Sequence, residues 1–120
     1  MTIHEGGRAV LVVEDEPLVR LDIAQALATA GFTVIEAGTA EEALEALAGR
    51  TDIDLIFTDI EMPGHLSGLD LVRIVHARWP DMPVLVTSGM RMPDASDLAR
   101  FFPKPYDAAK IVTEAQALAV

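Results

Sequence analysis

The sequence AVLVVEDEP, residues 9–17, decides the fold class of this chain. It opens with a short, unbroken run of aliphatic residues, which is typical of a strand buried on both faces in a parallel sheet. The acidic residues that follow, and Pro17 after them, favour the first turn of a helix, where carboxylates face the positive end of the helix dipole. The stretch therefore predicts a strand that leads directly into a helix, with carboxylates at the junction.

The same alternation of strand and helix continues along the chain. Further short apolar segments predict strands at residues 32–36, 53–58, 83–87 and 101–102. Between them, apolar residues recur at helical spacing, and Thr39 and Ser67 each precede an acid by three residues, as in a capping box. This pattern predicts one α/β domain over residues 1–120, a doubly wound parallel sheet with helices on both faces. Residues 1–7 are expected to be a frayed lead-in.

Polar residues are concentrated where the predicted strands end. In open α/β sheets, ligands bind at the carboxyl ends of the strands. The residues at or just after these ends are Glu14, Asp15, Asp59, Thr87, Ser88 and Lys104. We expect their side chains to converge at one edge of the sheet.

Converging carboxylates need a cation, because two of them about 4 Å apart repel by roughly 4 kcal/mol at an effective dielectric near 20. Oxygen ligands without His or Cys suit Mg²⁺, with Mn²⁺ as a possible substitute. Mg²⁺ uses few carboxylates, which leaves Asp59 free to act as a nucleophile and form an aspartyl-phosphate. Lys104 and the Ser88 hydroxyl would then contact the phosphoryl oxygens. Taken singly, each of these residues has an ordinary interpretation as a turn or capping residue, and the joint pattern favours the site.

The chain resembles the receiver domain of bacterial two-component response regulators over nearly its whole length. The segments that carry the resemblance are residues 12–16, 59–63 with Gly68-Leu69, 84–89 and 104–106. The resemblance implies a flavodoxin-like fold with strand order 2-1-3-4-5. It also implies a phosphorelay signalling domain that takes a phosphoryl group from a phosphohistidine onto Asp59. Such a domain assists its own phosphorylation and dephosphorylation but is not an enzyme in its own right.

The resemblance also assigns roles around Asp59. Asp15 would bind Mg²⁺ directly, Glu14 directly or through water, and Glu61 through its backbone carbonyl. Lys104 would contact the phosphoryl group, and its peptide bond to Pro105 would be cis, an isomer normally found only before proline.

Three further residues have expected roles in the switch or the backbone. Ser88 would be the switch hydroxyl, Phe101 the aromatic residue that turns inward with it, and Gly68 a structural glycine. Ser88 is preferred to Thr87 by counting from Pro83, and a shift of one residue in register would exchange the two.

The chain departs from the family pattern in three places. Glu14 stands where the family usually has Asp, which lengthens that side chain by one methylene. The loop from Met62 to Gly68 looks one residue longer than usual. The segment between Ser88 and Phe101 is short and contains Pro93, so the fourth helix is expected to be shortened or lost. Because that helix belongs to the family's dimerisation face, we expect a monomer or a weak dimer.

The expected partner is a histidine kinase or a histidine phosphotransfer protein that docks near Pro17, Leu18, Pro105 and Tyr106.

The net charge of −10 disfavours direct binding to nucleic acid or anionic membranes. The sequence has no cysteine and no apolar run of the roughly 18 residues that a membrane span needs, and we expect a cytoplasmic protein. We expect no output domain within these 120 residues, and we expect the downstream partner to be another protein, of unknown identity.

Two other functions are compatible with a strand-end aspartate. A phosphatase of the haloacid-dehalogenase type would also use Mg²⁺, but it requires Asp-x-Asp where this chain has Asp59-Ile60-Glu61. A receiver-like binding module that acts without phosphorylation is the main alternative.

Overall fold

The computed structural model describes residues 8–62, 64–89 and 99–118. The elements in chain order are β1 (Ala9–Val13), α1 (Pro17–Thr29), β2 (Thr33–Ala37), α2 (Ala40–Gly49), β3 (Ile53–Asp59), α3 (Gly68–Arg78), β4 (Val84–Ser88), β5 (Arg100–Pro103) and α4 (Ala108–Leu118). Every predicted strand is present, with ends displaced by one or two residues at most. The lead-in over residues 1–7 lies outside the described residues.

The five strands form one parallel sheet in the order β2-β1-β3-β4-β5. The predicted fold class and strand order are therefore confirmed. The chain leaves β1 towards β2 and then returns to β3 on the other side of β1, so the order reverses between β1 and β3. A crevice at such a switch point, beyond the carboxyl ends of the strands, is where this class of sheet binds ligands.

The hydrophobic core has two layers, one on each face of the sheet. Val10 and Val12 of β1 belong to the cluster that packs under α1 and α4. Leu11 and Val13 belong to the cluster under α2 and α3. All of β1 is buried because successive strand side chains point to opposite faces and both faces are covered by helices.

The two predicted capping boxes, at Thr39 and Ser67, differ in the structure. Ser67 and Asp70 form the predicted capping box, in which the Ser67 hydroxyl accepts from the amide of Asp70 and the Asp70 carboxylate accepts from the amide of Ser67. At α2, Thr39 accepts from the amide of Glu42, but the Glu42 carboxylate accepts from the amide of Gly38. The second half of the predicted box at Thr39 is therefore wrong, because the carboxylate reaches one residue further back.

The expected shortening or loss of the family's fourth helix concerns the segment before β5, and residues 90–98 lie outside the described residues. Within the described ranges the chain has four helices. None of the helices in these ranges is long and apolar enough to cross a membrane.

Candidate functional site

Asp59 is the last residue of β3, beside the switch point, and its side chain is 2% exposed. Glu14 and Asp15 come directly after β1, the neighbouring strand. Each of the three residues has a carboxylate oxygen within 4.8 Å of those of the other two. The structure therefore brings together the three acids that the sequence predicted to converge.

Lys104 reaches this cluster from the end of β5. Its backbone amide donates to the carbonyl of Ser88 over 2.9 Å, and its Nζ lies 2.7 Å from Oδ2 of Asp59. Partial burial acts to lower the pKa of Lys104. The hydrogen bond to Asp59 and the charges of Asp59, Glu14 and Glu61 outweigh burial and raise that pKa above its ordinary value. The lysine is therefore a stable cation at the buried carboxylate, and its bond to Pro105 is cis.

Glu14 is buried, with 2% of its surface exposed. Its Oε2 accepts from the amide of Glu16 over 3.0 Å, while its Oε1 has no hydrogen-bond partner among the described residues. Burial raises the pKa of Glu14 to about 7, the amide of Glu16 opposes this rise, and the charge of Asp59 adds to it. A buried carboxylate oxygen without a donor, beside two other acids, fits a hard divalent cation such as Mg²⁺ or Mn²⁺.

The Glu61 side chain lies beside this cluster. The Ser88 hydroxyl donates to its Oε2, and the amide of Gly89 donates to its Oε1 over 3.0 Å. The same Oε1 lies 4.0 Å from Nζ of Lys104. The sequence assigned Glu61 only a backbone carbonyl ligand, so this side-chain role was missed. The available signal was a third acid two residues after Asp59.

Ser88 and Thr87 occupy different positions in the site. The Ser88 hydroxyl is held by Glu61, whereas the buried Thr87 hydroxyl has no hydrogen-bond partner among the described residues. Of the two, Ser88 is therefore the one whose hydroxyl contacts Glu61, beside the acidic cluster. Phe101 of β5 lies beside Val86 of β4 and packs, partly buried, against the hydrophobic cluster under α2 and α3.

Gly68 fixes the path of the loop that follows Asp59. Its amide donates to the carbonyl of Ile60 over 3.0 Å. A Cβ atom here would stand 1.9 Å from the carbonyl oxygen of Asp59 and 2.6 Å from Cα of Ile60. The loop can return this closely to the strand end only with glycine.

Arg20 of α1 holds the turn after β1 in place. Its Nη1 donates to the carbonyl of Glu14 over 2.7 Å, and its Nε donates to Oε1 of Glu36 over 3.1 Å. The arginine therefore anchors the turn that carries Glu14 and Asp15. Sequence reasoning missed it, because one arginine on a helix carries no local signal of such a contact.

A cleft of about 1060 Å³ opens from the acidic cluster towards α1 and the loop after β5. Among the predicted docking residues, Leu18, Pro105 and Tyr106 line it. Leu18 is 77% exposed, while Tyr106 is partly buried and packs edge-to-face against Phe57 at a centroid distance of 5.6 Å. Burial and nearby acids raise the pKa of Tyr106 to about 12, so its hydroxyl stays protonated.

Known sequences resemble this chain over most of its length. A sequence model of the family described as "Response regulator receiver domain" matches residues 10–116. The DNA-binding transcriptional regulator NtrC of Escherichia coli (strain K12) is 36% identical over 104 residues, which cover 82% of this chain and 22% of NtrC. The sensor kinase CckA of Brucella abortus is 33% identical over 115 residues, covering 90% of this chain and 12% of CckA. The chain thus spans less than a quarter of these curated relatives.

Solved structures share the fold. The receiver domain of the hybrid histidine kinase CckA superposes with a TM-score of 0.78 and 31% identity, over 93% of this chain and 99% of that one. The response regulator TrrA of Thermotoga maritima, in complex with Mg(2+)-BeF, gives a TM-score of 0.84 and 27% identity, over 92% and 98%. Because the family match spans most of the chain and solved receiver domains share its fold, this chain belongs to the response regulator receiver domains, the phosphoacceptor signalling domains of two-component systems.

Proposed function

We propose that Asp59 accepts a phosphoryl group from a phosphohistidine on a histidine kinase or a histidine phosphotransfer protein. The observation that carries this proposal is the buried Asp59 carboxylate, paired with Lys104 and set beside two further acids. In the transfer, a carboxylate oxygen of Asp59 forms a bond to phosphorus while the phosphorus–nitrogen bond of the donor breaks. The electron pair of that bond returns to the imidazole nitrogen.

Mg²⁺ would be held by the carboxylates of Glu14, Asp15 and Asp59 and by the backbone carbonyl of Glu61, and Mn²⁺ suits the same oxygen ligands. When bound, the ion supplies positive charge to the acids and to the phosphoryl oxygens. The unpartnered Oε1 of buried Glu14 supports this assignment, and so does the similarity to TrrA, which was solved with Mg(2+)-BeF.

Lys104 would contact the phosphoryl oxygens, because its Nζ already lies 2.7 Å from Asp59. Ser88 would donate its hydroxyl to the phosphoryl group, and Phe101 would turn inward with it. The domain would assist its own phosphorylation and dephosphorylation without acting as an enzyme on other substrates. Its output would be a change in partner binding or onward transfer of the phosphate.

The docking surface for the phosphohistidine partner would be formed by Leu18, Pro105 and Tyr106 on the wall of the cleft, together with Pro17 next to Leu18. Three neighbouring apolar side chains on the cleft wall support this proposal, because a patch beside an acidic site is suited to burial by a partner: Leu18, Val19 and Leu21 are 77%, 37% and 51% exposed. The compartment would be the cytoplasm.

The test is incubation with phosphoramidate and Mg²⁺, followed by intact-mass measurement of the wild type and Asp59→Asn. We expect a labile phosphate adduct on the wild type alone. Asp81→Asn, which changes an exposed acid outside the site, serves as a matched control and should form the adduct as the wild type does. No adduct on the wild type would favour a receiver-like module that acts without phosphorylation. An equal adduct on Asp59→Asn would show that another residue is the acceptor.

A further inference from the structure

The Glu61 carboxylate lies beside Asp59 and is surrounded by hydrogen-bond donors. It accepts from the Ser88 hydroxyl and from the Gly89 amide, and Nζ of Lys104 lies 4.0 Å from it. These contacts join the loop after β3 to the end of β4 and to the residue that follows β5. Through its carboxylate, the Glu61 side chain therefore links the ends of three strands.

Two of the same donors are needed by a phosphorylated Asp59. A phosphoryl group on Asp59 would present anionic oxygens that require hydrogen-bond donors and positive charge, and Lys104 and Ser88 are the groups proposed to supply them. The Ser88 hydroxyl has one hydrogen, so it cannot donate to Glu61 and to a phosphoryl oxygen at the same time. The Glu61 carboxylate and the phosphoryl group therefore compete for one set of donors.

We propose that the Glu61 side chain is an internal latch that imitates the phosphoryl group in the unphosphorylated domain and must leave before Asp59 can be modified. This inference rests on the proposed function, and it deepens that function by naming the residue that opposes phosphorylation. The latch has two effects. It keeps the Ser88 hydroxyl engaged, and it places a negative charge where the anionic phosphodonor must approach.

The way in which the latch opens follows from its anchoring. The backbone of residues 60 and 61 is fixed, because the amide of Ile60 donates to the carbonyl of Thr87 and the amide of Glu61 donates to Oδ1 of Asp59. The side chain of Glu61, in contrast, is 34% exposed, whereas that of Asp59 is 2% exposed. Rotation of side-chain torsions alone moves the carboxylate into solvent, while the loop and its backbone carbonyl stay in place.

The kinetic test measures the rate of phosphorylation by phosphoramidate in Mg²⁺ by intact mass. Glu61→Ala keeps the backbone carbonyl and removes the latch, and we expect the rate to rise by roughly tenfold, as for the loss of one charge-assisted hydrogen bond that holds the closed state. Glu61→Gln keeps an acceptor oxygen but loses the charge, so its rate should lie between those of Glu61→Ala and the wild type.

The matched control is Glu16→Ala. Glu16 lines the same cleft and carries the same charge, but it is exposed, and among the described residues the donors Ser88 and Gly89 hydrogen-bond to Glu61 and not to the Glu16 side chain. We expect its rate to stay within about twofold of the wild type, as is usual for a charge that is solvated. An equal acceleration by both alanine variants would mean that charge in general, and not the latch, opposes the donor, and this would overturn the inference.

A second readout needs neither phosphodonor nor metal. In EDTA, the amide of Gly89 should exchange with solvent faster and shift upfield in the proton dimension in Glu61→Ala than in the wild type, while amides of α1 stay unchanged. An unchanged Gly89 amide would overturn the latch even if phosphorylation proceeds normally. A latch-dependent Gly89 amide in a wild type that never forms an adduct would instead overturn the proposed function, and the kinetic role of the latch with it.

Discussion

Lys104 lies 2.7 Å from Asp59, measured from Nζ to Oδ2, although 45 residues separate the two along the chain. The contact depends on β4, which lies between β3 and β5 in the sheet. The carbonyl of Ser88, the last residue of β4, accepts a hydrogen bond from the backbone amide of Lys104. The charge of the Asp59 carboxylate, which is 2% exposed, is thus balanced by a lysine that follows another strand of the sheet.

Removal of Lys104 should destabilise the domain. Lys104→Met leaves the buried Asp59 carboxylate beside two other acids without its cation, and we expect the free energy of unfolding in EDTA to fall by about 1.5–3 kcal/mol, the range for a hydrogen bond between charged groups. Urea denaturation at neutral pH measures this change. Lys110→Met, at an exposed lysine of α4, is the control and should differ from the wild type by less than about 0.5 kcal/mol. Equal stabilities of the two variants would contradict this role for the ion pair.

A methyl group at Gly68 should be damaging. The added Cβ would stand 1.9 Å from the carbonyl oxygen of Asp59, so the loop or the strand end must move. We expect Gly68→Ala to lower the free energy of unfolding by about 3 kcal/mol or more, the upper end for overpacking. Gly49→Ala is the control, because outside its chain neighbours and its own helix backbone no heavy atom lies within 4 Å of the position that its Cβ would take, and it should be neutral or stabilising by up to about 1 kcal/mol. Urea denaturation of both variants checks the difference, and a stable Gly68→Ala would contradict the close approach.

Metal binding should depend on Asp15 far more than on Glu16. Asp15 contributes a carboxylate oxygen to the cluster with Glu14 and Asp59, whereas Glu16 does not belong to that cluster. Asp15→Asn should weaken Mg²⁺ binding by at least about tenfold, equivalent to about 1.4 kcal/mol, and Glu16→Gln by less than about twofold. Isothermal titration calorimetry measures both affinities. Equal effects would count against the proposed ligands.

The contribution of Glu14 to the stability of the metal-free domain should fall as pH rises towards neutrality. Burial is the main cause that raises the pKa of Glu14 from 4.5 to about 7, so the native state holds this proton more tightly than the unfolded state does. The resulting contribution to stability is fully present below about pH 4.5 and is lost as pH rises through about 7. In EDTA, the wild type should therefore lose more stability than Glu14→Gln between about pH 5 and about pH 7.5. Parallel pH profiles from urea denaturation would show that Glu14 is not the group responsible.

Much of the fold was predictable because its signals are local. Continuous aliphatic runs such as residues 9–13 mark strands buried on both faces, and Ser67 with Asp70 marks a helix start, as the structure confirms. The prediction at Thr39 was only half right, because the direction in which the Glu42 carboxylate bends is a matter of side-chain torsion and not of spacing.

The site was predictable as a set of residues but not as a set of contacts. The convergence of Glu14, Asp15 and Asp59 follows from their positions at the carboxyl ends of neighbouring parallel strands. The contact between Glu61 and Ser88 does not, because it needs a particular torsion of a long side chain and the register of β3 against β4.

The sequence by itself determined that strands and helices alternate and that acids, a hydroxyl and a lysine lie at the strand ends. Both follow from the order of the residues, because the spacing of apolar residues predicts each element and the position in the chain shows which residues come at its end. Only the tertiary structure decided which of these groups touch. In the structure, Lys104 pairs with Asp59 and the Ser88 hydroxyl donates to Glu61. Oε1 of Glu14 has no hydrogen-bond donor among the described residues. The physical reason is that hydrogen bonds act over about 3 Å, so strand order, register and side-chain torsion select the partners among residues that lie far apart in the chain.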